Sequence, residues 1–146
     1  MYFAIVNGPN LNWLGKRDPQ QYGGETWQEI FEYLQEKFKH HQLGVGLKEH
    51  QNNIEGQLIN ILQELENDSN CLGVVINGGG YSHTSVALAD CVEAMNKPVV
   101  SIHMSNTHSR EEERQRDLLG AAANGTIIGF GKESYWWGLQ ALHSLV

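Results

Sequence analysis

Cysteine is scarce in this sequence. Cys71 and Cys91 are the only two among 146 residues, too few for a disulfide scaffold. Cys71 opens an apolar run and Cys91 falls inside a helical pattern, so two reduced, buried thiols in a cytoplasmic protein is the simplest reading. A disulfide or a metal pair is the alternative. Long apolar runs are missing too, and none approaches the roughly 20 residues that cross a bilayer. The segment MYFAIVNGPN has neither a basic n-region nor a long apolar h-region, so no signal peptide is expected. Positive charge is short: 10 Lys and Arg face 17 Asp and Glu, a net charge of −7. A nucleic-acid binder would show a basic face, so none is expected as a partner. A local basic pocket for a small anion remains compatible with that balance.

Several catalytic and cofactor motifs are absent as well. Gly131-Lys132 is followed by Glu133, and no glycine stands five residues before Gly131, so there is no phosphate-binding P-loop. GxGxxG, CxxC and HExxH do not occur, nor does the GxSxG nucleophile elbow. Cys71, Cys91 and the histidines form no zinc spacing, and no metal site is expected.

What is present fits one ordered domain, residues 1–146. Hydrophobic residues make up 40% and charged residues 18%, the balance of a globule rather than a disordered chain. At this length roughly 68–70% of the unfolded surface can be buried. Five short apolar runs read as strands: Tyr2–Val6, Leu43–Glu49, Cys71–Ile76, Pro98–His103 and Thr126–Phe130. CLGVVI and PVVSI are nearly continuous, as in strands covered on both faces. Helical spacing separates them. Ile30, Phe31, Leu34 and Phe38 mark the first helix, and Ile54, Leu58, Ile61, Leu62 and Leu65 the second. Thr84–Met95 is the third, with Val86, Ala87, Cys91 and Met95 as its apolar side. Arg110–Leu119 is the fourth, and Glu133–Leu145 the fifth, with Trp136, Trp137, Leu139 and Leu142. The βαβαβαβαβα order predicts an α/β, three-layer, flavodoxin-like sandwich with a five-stranded parallel sheet of order 2-1-3-4-5.

In such sheets ligands bind beyond the carboxyl ends of the strands, at the switch point between strands 1 and 3. The polar residues collect there. Asn7, Gly8, Pro9 and Asn10 follow strand 1. Asn77, three glycines, Tyr81, Ser82 and His83 follow strand 3. Strand 4 ends in His103, Met104, Ser105 and Asn106. Amides, imidazoles and Gly-rich backbone thus converge on one edge, suited to proton transfer on a small uncharged or anionic molecule.

The first strand-to-helix crossing, NGPNLNWLGKRDPQQYG, takes about seventeen residues, where roughly 2–6 is usual. It carries Arg17 and, five residues on, Tyr22. A free tyrosine is ionised only about once in a thousand at pH 7, so a working base must offset up to ~4 kcal/mol. Cations within ~4–6 Å favour the anion. A lid carrying both residues could close over a substrate and exclude water. Alternatively, Tyr22 merely packs the loop and Arg17 is solvated. In REEERQRDLLG, Arg110 and Arg114 would share a helix face, with Glu112 and Arg116 paired on another. One arginine could then hold hydroxyls or a carboxylate at the strand-4 edge.

NGPNLNWLGKRDPQQYG resembles the opening signature of the type II 3-dehydroquinate dehydratases. The resemblance continues through HQNNIEGQLIN, INGGGYSHTSVALAD, HMSNTHSREEER and GTIIGFG, in order and over nearly the whole chain. It implies a cofactor-free, metal-free, cytoplasmic lyase of the shikimate pathway, assembled as a homododecamer of trimers. The reaction it implies converts 3-dehydroquinate to 3-dehydroshikimate and water by anti elimination through an enolate. Tyr22 would remove the C2 proton, and Arg17 would favour its ionised form. Asn10 would help to stabilise the enolate, and His103 would protonate the departing C1 hydroxyl. The backbone amides of Met104 and Ser105 would hold the carboxylate, and Asn77, His83 and Arg114 the hydroxyls. Asp90 would approach from a neighbouring subunit.

The chain departs from the family pattern at several positions. Ser101 stands where the family usually has a glutamate, two residues before the histidine, that is expected to support the imidazole. INGGGYSHTS replaces INPGAYTHTS, and Gly78 and Gly80 are expected to loosen that loop. Ala89 stands where an arginine often precedes Asp90, and Trp13 where the pattern has leucine. Two other functions stand beside the family one: a non-catalytic module binding quinate-like acids or flavin, and a related lyase acting on another cyclic hydroxy acid.

Overall fold

The structure, a computed structural model, describes residues 1–16, 18–41 and 44–146. Arg17, and Leu43 at the start of the expected second strand, lie outside the described residues. Five parallel strands form one sheet: β1 (Tyr2–Asn7), β2 (Gly46–Gln51), β3 (Cys71–Asn77), β4 (Val99–His103) and β5 (Gly125–Ile128). Their order is β2-β1-β3-β4-β5, as the alternating pattern predicts.

Period-2 alternation splits the central strands between two cores. Phe3, Ile5, Val75, Val100 and Ile102 face one side. There they meet α2 (Trp27–His40) and α7 (Glu133–His143). Ala4, Val6, Val74, Ile76 and Val99 face the other side. That face is covered by α3 (Glu55–Asn67), α5 (Val86–Ala94) and α6 (Leu118–Ala122). Each large side chain fully buried in these layers contributes about 1.5–3 kcal/mol relative to exposure.

Helix α2 starts where its sequence directs. Thr26 and Glu29 form a reciprocal capping box, and Ile30, Phe31, Leu34 and Phe38 are all buried. Other expectations need correction. The third helix starts two residues later than expected, because Ser85 ends the short helix α4 (Tyr81–Thr84) and caps α5 by accepting from the Leu88 N–H at 2.9 Å. This restart sets the rotation of α5, so Leu88 and Val92 are buried, while Val86 and Ala87 face solvent. In α3, Ile54 is exposed, and in α7 Trp137 is exposed while Tyr135 is fully buried. The fifth strand ends at Ile128 and leaves Phe130 exposed.

The fourth helix does not form as expected. A 3-10 turn at Glu112–Arg114 is followed by α6, which begins only at Leu118. Asp117 is extended, and its side chain accepts from the Gly120 N–H. An N-cap of this kind starts a new helix rather than continuing an old one. Arg110 and Arg114 therefore share no helical face; both instead reach the Glu111 carboxylate, at 3.4 and 3.2 Å.

The long first crossing is not structureless. It holds a 3-10 turn at Leu11–Trp13 and a one-turn helix α1 (Pro19–Tyr22), capped by Asp18 and led by Pro19. Its base is pinned to the β2 end by Gln51, whose amide donates to the Gly8 carbonyl at 3.2 Å and to Asn53 Oδ1 at 3.0 Å. Gly8 and Gly78 mark where this crossing meets the loop after β3. A Cβ on Gly8 would fall 2.3 Å from the Gly78 carbonyl oxygen, and one on Gly78 would fall 2.3 Å from Leu119 Cδ1. Gly78 therefore permits a tight approach rather than loosening the loop.

Candidate active site

Asn7 and Asn77 are paired across the β1–β3 ladder, so the two central strands end side by side. The cleft above them is lined by Asn10, Tyr22, Asn77, His83, His103, Met104, Ser105, Arg110 and Arg114, among others. Its cavity volume is about 100 Å³. Eight of the ten residues singled out from the sequence meet here. Arg17 lies outside the described residues. Asp90 is exposed on α5 and does not line the cleft of its own chain.

The floor is a buried polar chain. Asn77 Nδ2 donates to Tyr135 Oη at 2.8 Å, and Tyr135 donates to Asn7 Oδ1, also at 2.8 Å. Burial pushes the Tyr135 phenol well above its ordinary range, so it stays neutral and can donate. Asn77 Oδ1 accepts from the Gly79 N–H at 3.3 Å, which fixes the amide from both ends. Tyr135→Phe should cost about 1–3 kcal/mol, because it leaves both asparagines short of a buried partner. Urea unfolding should show a lower midpoint at unchanged slope, and an unchanged midpoint would mean that the chain contributes nothing to stability.

The wall nearest β4 carries two imidazoles. His103 is buried at the strand end, and His83 stacks on it with ring centroids 5.3 Å apart. His83 Nδ1–H donates to the Arg116 carbonyl at 2.6 Å. Burial lowers the His83 pKa despite that bond, and the nearby His103 and Arg114 act in the same direction. His83 is therefore neutral near pH 7, with Nε2 as its remaining polar atom. His103 Nε2 lies 2.9 Å from Asp117 Oδ2. Burial works against the ionised form of Asp117, but the bonds from His103 and the Gly120 N–H outweigh it and hold the carboxyl below its usual range.

Another part of the lining comes from the long crossing. Helix α1 presents Tyr22, half-buried, with its hydroxyl 2.8 Å from Arg110 Nη1. The same Nη1 donates to Ser105 Oγ at 3.2 Å, and the guanidinium carbon lies 5.8 Å from the Tyr22 ring centroid. Asn10, at the rim, takes a left-handed conformation with φ 68°, which asparagine tolerates better than most residues. Its N–H donates to Asn53 Oδ1 at 3.0 Å.

Two cations, Arg110 and Arg114, thus border a cleft that also holds a phenol and two imidazoles. The arrangement suits an anionic ligand and proton transfer at two separated points. Among the described residues, no group of three or more His, Cys, Asp and Glu is arranged to hold a metal ion. Both thiols are free, with Cys71 buried and Cys91 only half-buried.

Asp117 and Tyr135 were not singled out from the sequence, and Arg110 was named only as one of two arginines that could hold hydroxyls or a carboxylate, not as the partner of Tyr22. The Arg110–Tyr22 bond is the hardest to foresee, since it spans 88 positions. The signal for Asp117 was its capping position before LLG, which also betrays the break in the expected helix. Tyr135 carried no local signal beyond a helical apolar face.

The comparisons agree with this fold. The family model described as dehydroquinase class II matches residues 1–143. A 3-dehydroquinate dehydratase from Rhizobium johnstonii is 44% identical over 97% of this chain and 94% of its own length. One from Helicobacter pylori is 41% identical over all of this chain and 87% of its own. The crystal structure of a type II dehydroquinase from Butyrivibrio crossotus superposes with TM-score 0.91 at 32% identity, covering 97% of each chain. That from Propionibacterium acnes gives 0.90 at 32% identity, covering 98% of this chain and 96% of the other. The sheet order and full-length likeness together place this chain in the class II dehydroquinase family.

Proposed function

We propose that Tyr22 and His103 are the base and the acid with which this chain dehydrates 3-dehydroquinate to 3-dehydroshikimate. The observation that carries this assignment is that both side chains line one cleft. Tyr22 is contributed by the long crossing and His103 by the end of β4. An anti elimination needs a base on one side of the ring and an acid on the other.

The phenolate removes the C2 proton, and electrons move toward the ring ketone to give an enolate. His103 then protonates the C1 hydroxyl as it leaves as water. The Arg110 guanidinium beside the Tyr22 oxygen stabilises the charge that the base must carry, and Arg17 adds to it. Asn10 stabilises the enolate oxygen. The Met104 and Ser105 amides take the carboxylate, and Asn77, His83 and Arg114 take the hydroxyls. Asp90, exposed on α5, serves the cleft of a neighbouring copy in a trimer-based dodecamer. The enzyme works in the cytoplasm.

The test is direct. Purified protein with EDTA and 3-dehydroquinate should generate the ultraviolet absorbance of the conjugated enone. Absence of that signal at micromolar enzyme overturns the assignment.

A further inference from the structure

We infer that Asp117 is the carboxylate that positions the His103 imidazole in this chain. It supplies, from the loop before α6, the support that Ser101 on the strand cannot give. The inference rests on the reading of His103 as the acid, and it concerns how that acid is held.

Side chains two apart on a strand share a face. Residues 101 and 103 of β4 therefore point to the same side as Val99, toward the layer that contains Leu119 of α6. A long carboxylate at 101 could lean along the strand to the ring, since the two positions are about 6.6–6.8 Å apart. Serine is too short to span that gap. Ser101 is fully buried, and its Oγ finds no hydrogen-bond partner among the described residues.

The carboxylate arrives instead from the layer above the strand. Asp117 Oδ2 lies 2.9 Å from His103 Nε2, and Oδ1 accepts the Gly120 N–H at 2.8 Å. Both oxygens are therefore held. Space has been left for them: a Cβ on Gly120 would fall 2.5 Å from Oδ2 and 2.8 Å from Thr126 Oγ1. Glycine at 120 clears the position that the carboxylate occupies.

The consequence for the ring follows from hydrogen-bond chemistry. An ionised carboxylate only accepts, so Nε2 must carry hydrogen, which fixes the tautomer. Nδ1 is then the only ring nitrogen left to exchange a proton with substrate. Among the described residues, the other charged or titratable groups lining the cleft are His83, stacked on the ring, Tyr22, Arg110 and Arg114. His83 Nδ1–H is directed to the Arg116 carbonyl, which leaves its Nε2 as an acceptor. The two rings are stacked, however, with 19° between their planes, and the acceptor within hydrogen-bond distance of His103 Nε2 is Asp117. A guanidinium only donates.

The test uses Asp117→Ser, alone and with Ser101→Glu. Serine keeps a side-chain acceptor for the α6 cap, so the fold should survive while the carboxylate is lost. The single variant should lose at least about tenfold in kcat, with KM changed far less. The double variant, which returns a carboxylate to the strand, should recover most of that loss. Nitrogen-15 signals of the His103 ring, recorded without substrate, should show an Nε2–H bias in wild type that weakens in Asp117→Ser. A kcat within about twofold of wild type, or a loss with unchanged ring signals, overturns the inference; Asp117 would then act only as a helix cap. Because the ring signals need no turnover, they separate the two readings. An Asp117-dependent ring in a protein with no activity on 3-dehydroquinate keeps this inference and removes the assigned reaction.

Discussion

Replacing Tyr22 by phenylalanine should lower kcat on 3-dehydroquinate by about 10²–10⁴-fold, the range for losing a positioned general base. KM should change by far less. The reason is geometric. Tyr22 sits on a one-turn helix whose start is set by Asp18 and Pro19, and its ring packs against the apolar layer beside α2. Phenylalanine keeps that packing and removes only the oxygen. Arg110 loses one acceptor but keeps Ser105 Oγ, so the cleft wall has no reason to collapse. The loss should therefore fall on the chemical step rather than on binding. A variant retaining more than a tenth of wild-type kcat would place the base elsewhere.

Two substitutions at His103 should divide catalysis from stability. His103→Ala and His103→Gln should each lose about 10²–10⁴-fold in kcat, since neither can deliver a proton near neutral pH. Their stabilities should differ. Alanine leaves the Asp117 oxygen without a donor in a mostly buried place, at a cost of about 1–3 kcal/mol. Glutamine offers an amide N–H toward the same oxygen and should lose much less. Kinetics combined with urea unfolding check both parts. Equal instability in the two variants would show that imidazole packing, not the bond to Asp117, stabilises this corner. Full activity in either would remove His103 from the reaction.

Much of this protein was legible along the chain. Alternating strands and helices predicted the 2-1-3-4-5 sheet. The rule that ligands bind beyond the strand ends at the switch point then identified the strand ends that line the cleft, and Asn10, Asn77, His83, His103 and Arg114 meet there. These features come from local periodicity and chain order, which a single sequence records. Faces of short helices were less legible. Val86 and Trp137 seemed apolar and inward but point to solvent, because a cap or a packing neighbour sets helix rotation, and a few residues of periodicity cannot. The Arg110–Leu119 segment failed for the same reason: charged residues at helical spacing yielded to the cap at Asp117.

By itself the sequence determined the layered architecture, the edge where the cleft lies and the residue types that line it. The tertiary structure decided the partnerships. Arg110 meets Tyr22 across 88 positions, Tyr135 joins Asn7 across 128, and Asp117 takes the place beside His103 that Ser101 cannot fill. Hydrogen bonds of this kind depend on distances of about 3 Å. Such distances exist only after strands, helices and turns have packed, so no spacing along the chain encodes them.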